Sequence, residues 1–343
     1  MDSLPGRGLR VLYALSRYPH LAHTYMMTEI ETMRRYGVDV EVYSSALPLA
    51  PFATDVPLHN DTLGKAIEDF KPHLVHVHWT HRVAKFRGDV EKAGLPLTVR
   101  GHHPHDYSPK IANALQEDPV VRSVYMFKHF ADLLSEKYTK VIPVDACFDP
   151  VLYYPDPQKD TKLVVRTSPA RKVKDLDFFI RVAARCPQHR FVLVPCTTAE
   201  NLYPDELREL NRSLGSPVEI RVDISHQEIS SLMRKAGIYL YTVSPKEEYA
   251  MPISVSEAIG AGCYVLNRDS HNARVHNGNA GGFYSTEDEA VAVVNDSLTW
   301  SSKRWNDEMA KTLLRAEELA SPRVVRPILD DWLKIAGVTA GTR

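Results

Sequence analysis

The chain has 343 residues, 44% hydrophobic and 25% charged, enough for two globular domains rather than one. Its 42 basic and 43 acidic residues leave a formal net charge of −1, which excludes the bulk field that draws a protein to nucleic acid or an anionic membrane. No apolar run is long enough to span a bilayer, and the opening MDSLPGRGLRVLYALSRYP lacks the basic start and apolar core of a secretory leader. The cysteines, Cys147, Cys186, Cys196 and Cys263, form no Cys-x-x-Cys pair. A cytoplasmic location, at most peripheral to a membrane, is expected.

In chain order, LRVLYALS reads as a strand and TYMMTEIETMRRYG as a helix, with Met26, Ile30 and Met33 at helical spacing and Gly37 closing it. VDVEVYSS is a strand, LGKAIEDF a short helix, HLVHVHW and LPLTVRG strands, and KHFADLLSEKY a helix. The pattern restarts with the strand TKLVVRT, the helix DLDFFIRVAARC, the strand RFVLVPC, the helix PDELRELNRSLG and the strand VEIRVD. SHQEISSLMRKAG opens with a capping-box pair, Ser225 and Glu228. IYLYTVS, ISVSEAIGAG and CYVLNR follow as strand, helix and strand, and TEDEAVAVVNDSL opens with a second such pair, Thr286 and Glu289. The alternation predicts two parallel α/β units in series, joined near DPVLYYPDPQKD. In the last helix, VVRPILDDWLKIAG, Val325, Ile328, Trp332 and Ile335 share one face.

Ligands of open parallel sheets bind beyond the carboxyl ends of the strands, and the loops expected there carry the chemistry. Eleven of the 15 histidines precede residue 150, among them His76, His78, His81, His102, His103 and His105. Such a bias can mark a metal, but core and loop positions that happen to cluster are the better reading, and no metal is expected. His102 or His103, just after a strand, can hydrogen-bond a sugar hydroxyl or a phosphate, or move a proton; Asp106 would orient His103 or cap a turn. Arg171, Lys172 and Lys174 suit a diphosphate, or form a solvated loop. Ser254 and Glu257 have capping-box spacing, yet a helix N-terminus also binds phosphate and a carboxylate there can hold a ribose. These alternatives stay open on the residues alone.

These stretches resemble a family. YPHLAHTYMMTEIETMRRYGVDVEVYS, FKPHLVHVHW, RKVKDLDFFIRVA and above all SHQEISSLMRKAGIYLYTVSPKEEYAMPISVSEAIGAGCYVL are similar to blocks of the group 1, or family-4, GT-B glycosyltransferases, which are retaining enzymes using nucleotide sugars. The resemblance implies two Rossmann-like domains facing across a cleft. Residues 1–155 would form the acceptor side, with the C-terminal helix 323–343 packing back on it, and residues 156–322 the donor side. It implies Glu257 as a ribose ligand with Ser254 beside it, Arg171 and Lys174 at the diphosphate, and His102, His103 and Glu248 as catalytic candidates. His23, Thr24 and His105 are candidates on the acceptor side. The family needs neither metal nor other cofactor; the partners implied are a nucleoside-diphosphate sugar and a sugar, lipid-linked or small-molecule acceptor.

The chain departs from the family's pattern at several points. The family's two glutamates have seven residues between them, which places the first at Tyr249; Glu248 is one residue further away and would need a bulge around Pro252, with Glu247 left solvated. Ala22 and His23 stand where Ser-Glu is usual, Val144 and Asp145 where Asn-Gly is usual, and Ser270 and His271 where a glycine pair is usual, while the Gly-Arg before the basic loop is absent. The expected function is a retaining sugar transferase of the EC 2.4 type, set against a non-catalytic nucleotide-sugar or carbohydrate-binding relative and, less favoured, a sugar-nucleotide epimerase.

Overall fold

A computed structural model describes residues 4–20, 23–46, 54–102, 106, 108–128, 134, 137–197, 203–247 and 251–338. The chain divides into two compact units, Met1–Asp145 with Ser321–Arg343, and Ala146–Ala320. Residues 146–155, assigned from the sequence to the first unit, belong to the second, where Phe148 bridges to Ala320 and Tyr153 hydrogen-bonds Glu257.

The first unit contains β1 (Arg10–Leu15), α1 (Thr24–Arg35), β2 (Asp39–Ser44), β3 (Leu58–His59), α2 (Leu63–Phe70), β4 (Leu74–His78), α3 (Val83–Lys92), β5 (Leu97–Arg100), α4 (Pro109–Glu117), β6 (Val121–Phe127) and β7 (Val141–Val144). The second contains β8 (Asp160–Pro169), α5 (Leu176–Ala184), β9 (Arg190–Cys196), α6 (Tyr203–Ser213), β10 (Val218–Ile220), α7 (His226–Lys235), β11 (Ala236–Leu240), α8 (Ile253–Gly260), β12 (Tyr264–Arg268), α9 (His271–Asn277), β13 (Gly282–Tyr284), α10 (Glu287–Asp296) and α11 (Ser302–Leu319). The final helix, α12 (Ser321–Ala336), returns to the first unit. Most of the expected helix 128–138 lies outside the described residues.

Both sheets are parallel, in the orders β3-β2-β1-β4-β5-β6-β7 and β10-β9-β8-β11-β12-β13. Each therefore reverses direction beside its first strand, the doubly wound pattern in which ligands sit at the reversal. That point lies between β1 and β4 in one unit and between β8 and β11 in the other.

The strands are buried on both faces, as parallel sheets require; β1 from Val11 onward and all of β4, β5 and β11 are inaccessible. In β4 the sequence LVHVH places two imidazoles, His76 and His78, in that interior. α12 covers the first unit with Val325, Ile328 and Trp332 fully buried and Ile335 half-buried. Its Trp332 indole donates to Thr98 Oγ1 at 3.2 Å, and Asp331 accepts from the Tyr125 hydroxyl at 2.7 Å.

The caps separate real helix starts from sequence coincidences. Ser225 and Glu228 form both halves of a capping box on α7. Thr286 caps α10 through the Glu289 amide, but the Glu289 carboxylate takes the Ser285 amide instead, so only half of that box forms. Ser254 caps nothing: α8 begins at Ile253 behind Pro252, with no side-chain cap, which overturns the capping reading of Ser254 and Glu257. α8 ends in a Schellman turn, Cys263 N donating to Ala258 O and Gly262 N to Ile259 O, each at 2.9 Å. Gly262 there has φ +71, a conformation that costs a side-chain-bearing residue energy.

Candidate functional site

In the second unit, the loops after β8 and β11 meet at the sheet reversal. Val173 O accepts from Ser244 N at 2.9 Å and Lys174 O from Thr242 Oγ1 at 2.8 Å, so the basic loop is pinned to its neighbour. Lys174 is half-buried. Burial, then the charge of Arg166, pull its ammonium down to about 8, against the opposing pull of Glu247. Arg166 is fully buried, and its hydrogen bonds run to neutral groups: Tyr239 Oη and Thr242 O at 2.9 Å, Thr242 Oγ1 at 3.3 Å, and Thr167 O. Its guanidinium lies 4.3 Å from the Tyr241 ring centre. Two cations thus share one strand end. Arg166 is not among the residues expected from the sequence; its signal is an arginine inside an otherwise apolar strand.

The other two cations of the loop sit differently. Arg171 is exposed at the start of a 3-10 turn. Lys172 pairs with Glu206 and lies 4.3 Å from the Tyr203 ring centre, a surface tether.

Glu257 is buried, 4% exposed, in the second turn of α8, and the Tyr153 hydroxyl hydrogen-bonds it. Burial and then the Glu257 charge hold that phenol well above its ordinary value. Ser254 is half-buried. Glu247, expected to be solvated, is half-buried and its charge reaches Lys174 and Tyr241. Glu248 and Tyr249 lie outside the described residues. Met251, buried just before Pro252, holds φ +47, a left-handed conformation unusual for such a side chain.

In the first unit, the reversal is occupied by a buried polar network centred on Glu29 of α1. Arg100 pairs with its Oε2, Tyr13 Oη donates to Oε1 at 3.0 Å, and His76 Nε2 and His78 Nε2 each lie 3.3 Å from Oε1. Burial pushes the Glu29 carboxyl up, but Arg100, His78 and His76 outweigh it and hold it well below the usual carboxylate range. Burial lowers both imidazoles despite Glu29, His78 to about 4, so both are neutral near pH 7.

Glu29, His76 and His78 also bring three ligand-type atoms within 4.8 Å of one another. Arg100 already neutralises that carboxylate, so a divalent cation there would meet a guanidinium at contact range.

His102, half-buried, meets His78 edge to edge, the ring planes 13° apart and the ring centres 4.9 Å apart, with its Nε2 2.7 Å from His78 Nδ1. Burial, then His78 and Arg100, lower its imidazole well below the ordinary value. Tyr25 lies 4.3 Å from the same ring. His23, the residue before α1, is half-buried and stacks on His20 at 4.1 Å and meets Trp79 at 5.0 Å; Thr24 opens the helix. Trp79 holds φ +67, a second strained non-glycine residue at a strand end. Asp106 accepts from His102 N at 2.8 Å, from Thr80 N at 3.2 Å and from the Thr80 hydroxyl, so it clamps the loops after β4 and β5. His103 and His105 lie outside the described residues.

No protein-family model matches the sequence, and a comparison with curated proteins finds no significant relative. Solved structures do match over nearly the whole chain. HepE from Anabaena, in complex with UDP and glucose, superposes with a TM-score of 0.73 at 15% identity, over 94% of this chain and 98% of that one. A glycosyltransferase from Rickettsia africae gives 0.73 at 10% identity, over 96% and 99%. The sucrose-phosphate synthase of Thermosynechococcus elongatus gives 0.71 at 11% identity, over 96% and 100%. The expected fold is borne out: the chain has the two parallel-sheet α/β units of the GT-B glycosyltransferase fold.

Proposed function

We propose that this protein transfers a sugar from a nucleoside-diphosphate sugar, a UDP-sugar first among them, to a hydroxyl-bearing acceptor. The observation that carries the reading is the pair of cations, Arg166 and half-buried Lys174, at the reversal of the second sheet. In transfer, the bond between the anomeric carbon and the diphosphate oxygen breaks, its electron pair leaves with the diphosphate, and the acceptor oxygen takes its place on carbon while the acceptor's proton passes to the departing diphosphate oxygen. Preorganised cations favour such a step because the charge on the departing oxygens grows as the bond opens. Lys174 and Arg166 would meet that charge, with Arg171 reaching from the loop rim. On this reading those side chains supply the neutralisation that a metal gives elsewhere, and no cofactor is required.

Glu257 is assigned to the nucleotide ribose: a carboxylate accepts from vicinal hydroxyls, and Ser254 stands one turn before it. His102 and His103 are assigned to the transferred sugar, Glu248 to the same group, and His23, Thr24 and His105 to the acceptor. The second unit is then the donor side and the first the acceptor side. UDP bound to HepE supports the choice of base. Retention of anomeric configuration rests on the family-4 likeness of the 225–266 stretch. No helix among the described residues is long and apolar enough to cross a membrane, which suits an intracellular enzyme at most peripheral to one.

Tyr249, where the likeness calls for a glutamate, favours a second reading as a binding relative without turnover. Both readings are tested together by measuring binding of UDP, GDP and ADP, and release of UDP from several UDP-sugars with and without acceptors. Binding with turnover supports the transferase. Binding without turnover leaves the second reading, and no nucleotide binding removes both.

A further inference from the structure

The charges around Glu29 favour one direction. An ionised carboxylate accepts and never donates, and His76 Nε2 and His78 Nε2 each lie 3.3 Å from Oε1 without the alignment of a hydrogen bond; the field of the anion still favours a proton on each of these nitrogens over a lone pair facing it. A neutral imidazole has one N–H, so His78 Nδ1 is an acceptor. Its partner at 2.7 Å, His102 Nε2, must then be the donor. The His76 contacts accommodate the same polarity: the Trp332 indole donates to Thr98 Oγ1, and the Thr98 hydroxyl proton is then available to His76 Nδ1 at 2.8 Å.

We infer that Glu29, acting through His78, fixes His102 as the tautomer protonated on Nε2, so that His102 offers a lone pair on Nδ1. Glu29 is thus a positioning residue for a histidine 73 residues further along the chain. The chemical consequence is selective. A lone pair attracts a hydroxyl and repels a phosphate or carboxylate oxygen, so the group recognised at His102 is a hydroxyl donor and not an anion. In this last respect the inference rests on the proposed function, which supplies a sugar hydroxyl; the tautomer itself does not.

Arg100 makes the inference sharp. In Glu29→Gln the carbonyl oxygen must face Arg100, which can only donate. The amide NH2 then takes the place of Oε1 and donates toward His78 Nε2. His78 must flip its proton to Nδ1, and His102 must become an acceptor at Nε2 with its proton on Nδ1.

The test is a long-range nitrogen–proton spectrum of the full chain labelled with 15N in its histidine rings, the His102 signals identified by their loss in His102→Gln. At pH 7 the wild type should show a neutral His102 protonated on Nε2, and Glu29→Gln should move that proton to Nδ1. His78→Leu, which keeps the Glu29–Arg100 pair, should release His102 to a mixture of tautomers; it also serves if Glu29→Gln does not fold. A wild-type His102 that is cationic, or protonated on Nδ1, overturns the inference, as does a single unchanged tautomer in His78→Leu. A parallel titration with UDP and UDP-glucose separates the two claims: Glu29→Gln should weaken UDP-glucose at least several-fold more than UDP. Equal weakening overturns the hydroxyl assignment, whereas failure of the wild type to bind either ligand removes the proposed function and leaves the tautomer to the spectra.

Discussion

Glu29 and Arg100 form an ion pair sealed from water, with side-chain exposures of 0% and 2%. Breaking a buried pair leaves an uncompensated charge, which costs about 3–5 kcal/mol, whereas replacing both partners by apolar groups of similar size is often neutral. Glu29→Gln is therefore expected to lose about 3 kcal/mol, and Glu29→Met with Arg100→Met to lose less than either single change. Guanidinium unfolding of the three variants checks this; an additive loss in the double variant would refute it.

Lys174 ties nucleotide binding to pH. Its folded value of about 8 lies below the ordinary lysine value, chiefly through burial. In the free protein its charge is lost as pH rises through about 8, so affinity for UDP should fall above that pH. Lys174→Arg should keep a flat profile, since a guanidinium stays charged, and Lys174→Ala should bind weakly throughout. The stability sign is the reverse: between about 8 and about 10.5 the unfolded chain holds this proton and the folded one does not, so this group's contribution to stability rises with pH. Calorimetric titrations from pH 6.5 to 9.5 read the binding arm.

Acid should destabilise the protein before its carboxylates titrate. Burial lowers His78 to about 4, and burial, then Arg315, lower His276 to about 3. The unfolded chain takes up these protons near 6.5 and the folded chain does not, so stability falls as pH drops below 6.5. The slope expected is about 1.4 kcal/mol per pH unit for each histidine. His276 Nε2 lies 2.8 Å from Ser256 Oγ, which donates to Ala146 O, so His276→Gln preserves the bond and should remove one proton from a slope to which the other lowered histidines, His76 and His102 among them, also contribute.

Ser254 and Glu257 separate on mutation. Ser254→Ala should cost less than 0.5 kcal/mol, while Ser225→Ala, which removes a true cap, should cost about 1 kcal/mol. Glu257→Gln should weaken UDP binding because an anionic acceptor of hydroxyl protons is stronger than a neutral one. Unchanged affinity in a folded Glu257→Gln protein would return the residue to a packing role with Tyr153.

The acids at 247 and 248 divide by assay. Glu247→Gln removes the charge opposing the depression of Lys174, so it should lower the pH at which UDP affinity falls. Glu248→Gln should reduce sugar transfer with little effect on UDP affinity. Near-normal transfer in both variants would refute the assignment of Glu248 to the sugar.

Alternating apolar runs were enough to read two parallel α/β units and their last helix, because period and burial are local properties of a sequence. The strands that escaped, β3, β6, β7 and β13, and the helices α3, α4, α9 and α11 lie in stretches where no element was expected. Strand ends likewise marked out His102 and Lys174 as candidates, and a helix N-terminus marked out Glu257. The sequence by itself could not decide whether Ser254 capped a helix, because Ser-x-x-Glu spacing is the same whether the first turn starts at Ser254 or, as it does, behind Pro252. It could not show that Arg166 stands beside Lys174, or that Glu29, His78, Arg100 and Trp332 belong to one network, since those meetings depend on strand order and on α12 closing over β4 and β5. Composition and periodicity determine which residues go inside; only the tertiary structure decides which buried charges meet, and a proton's position on an imidazole follows from that meeting.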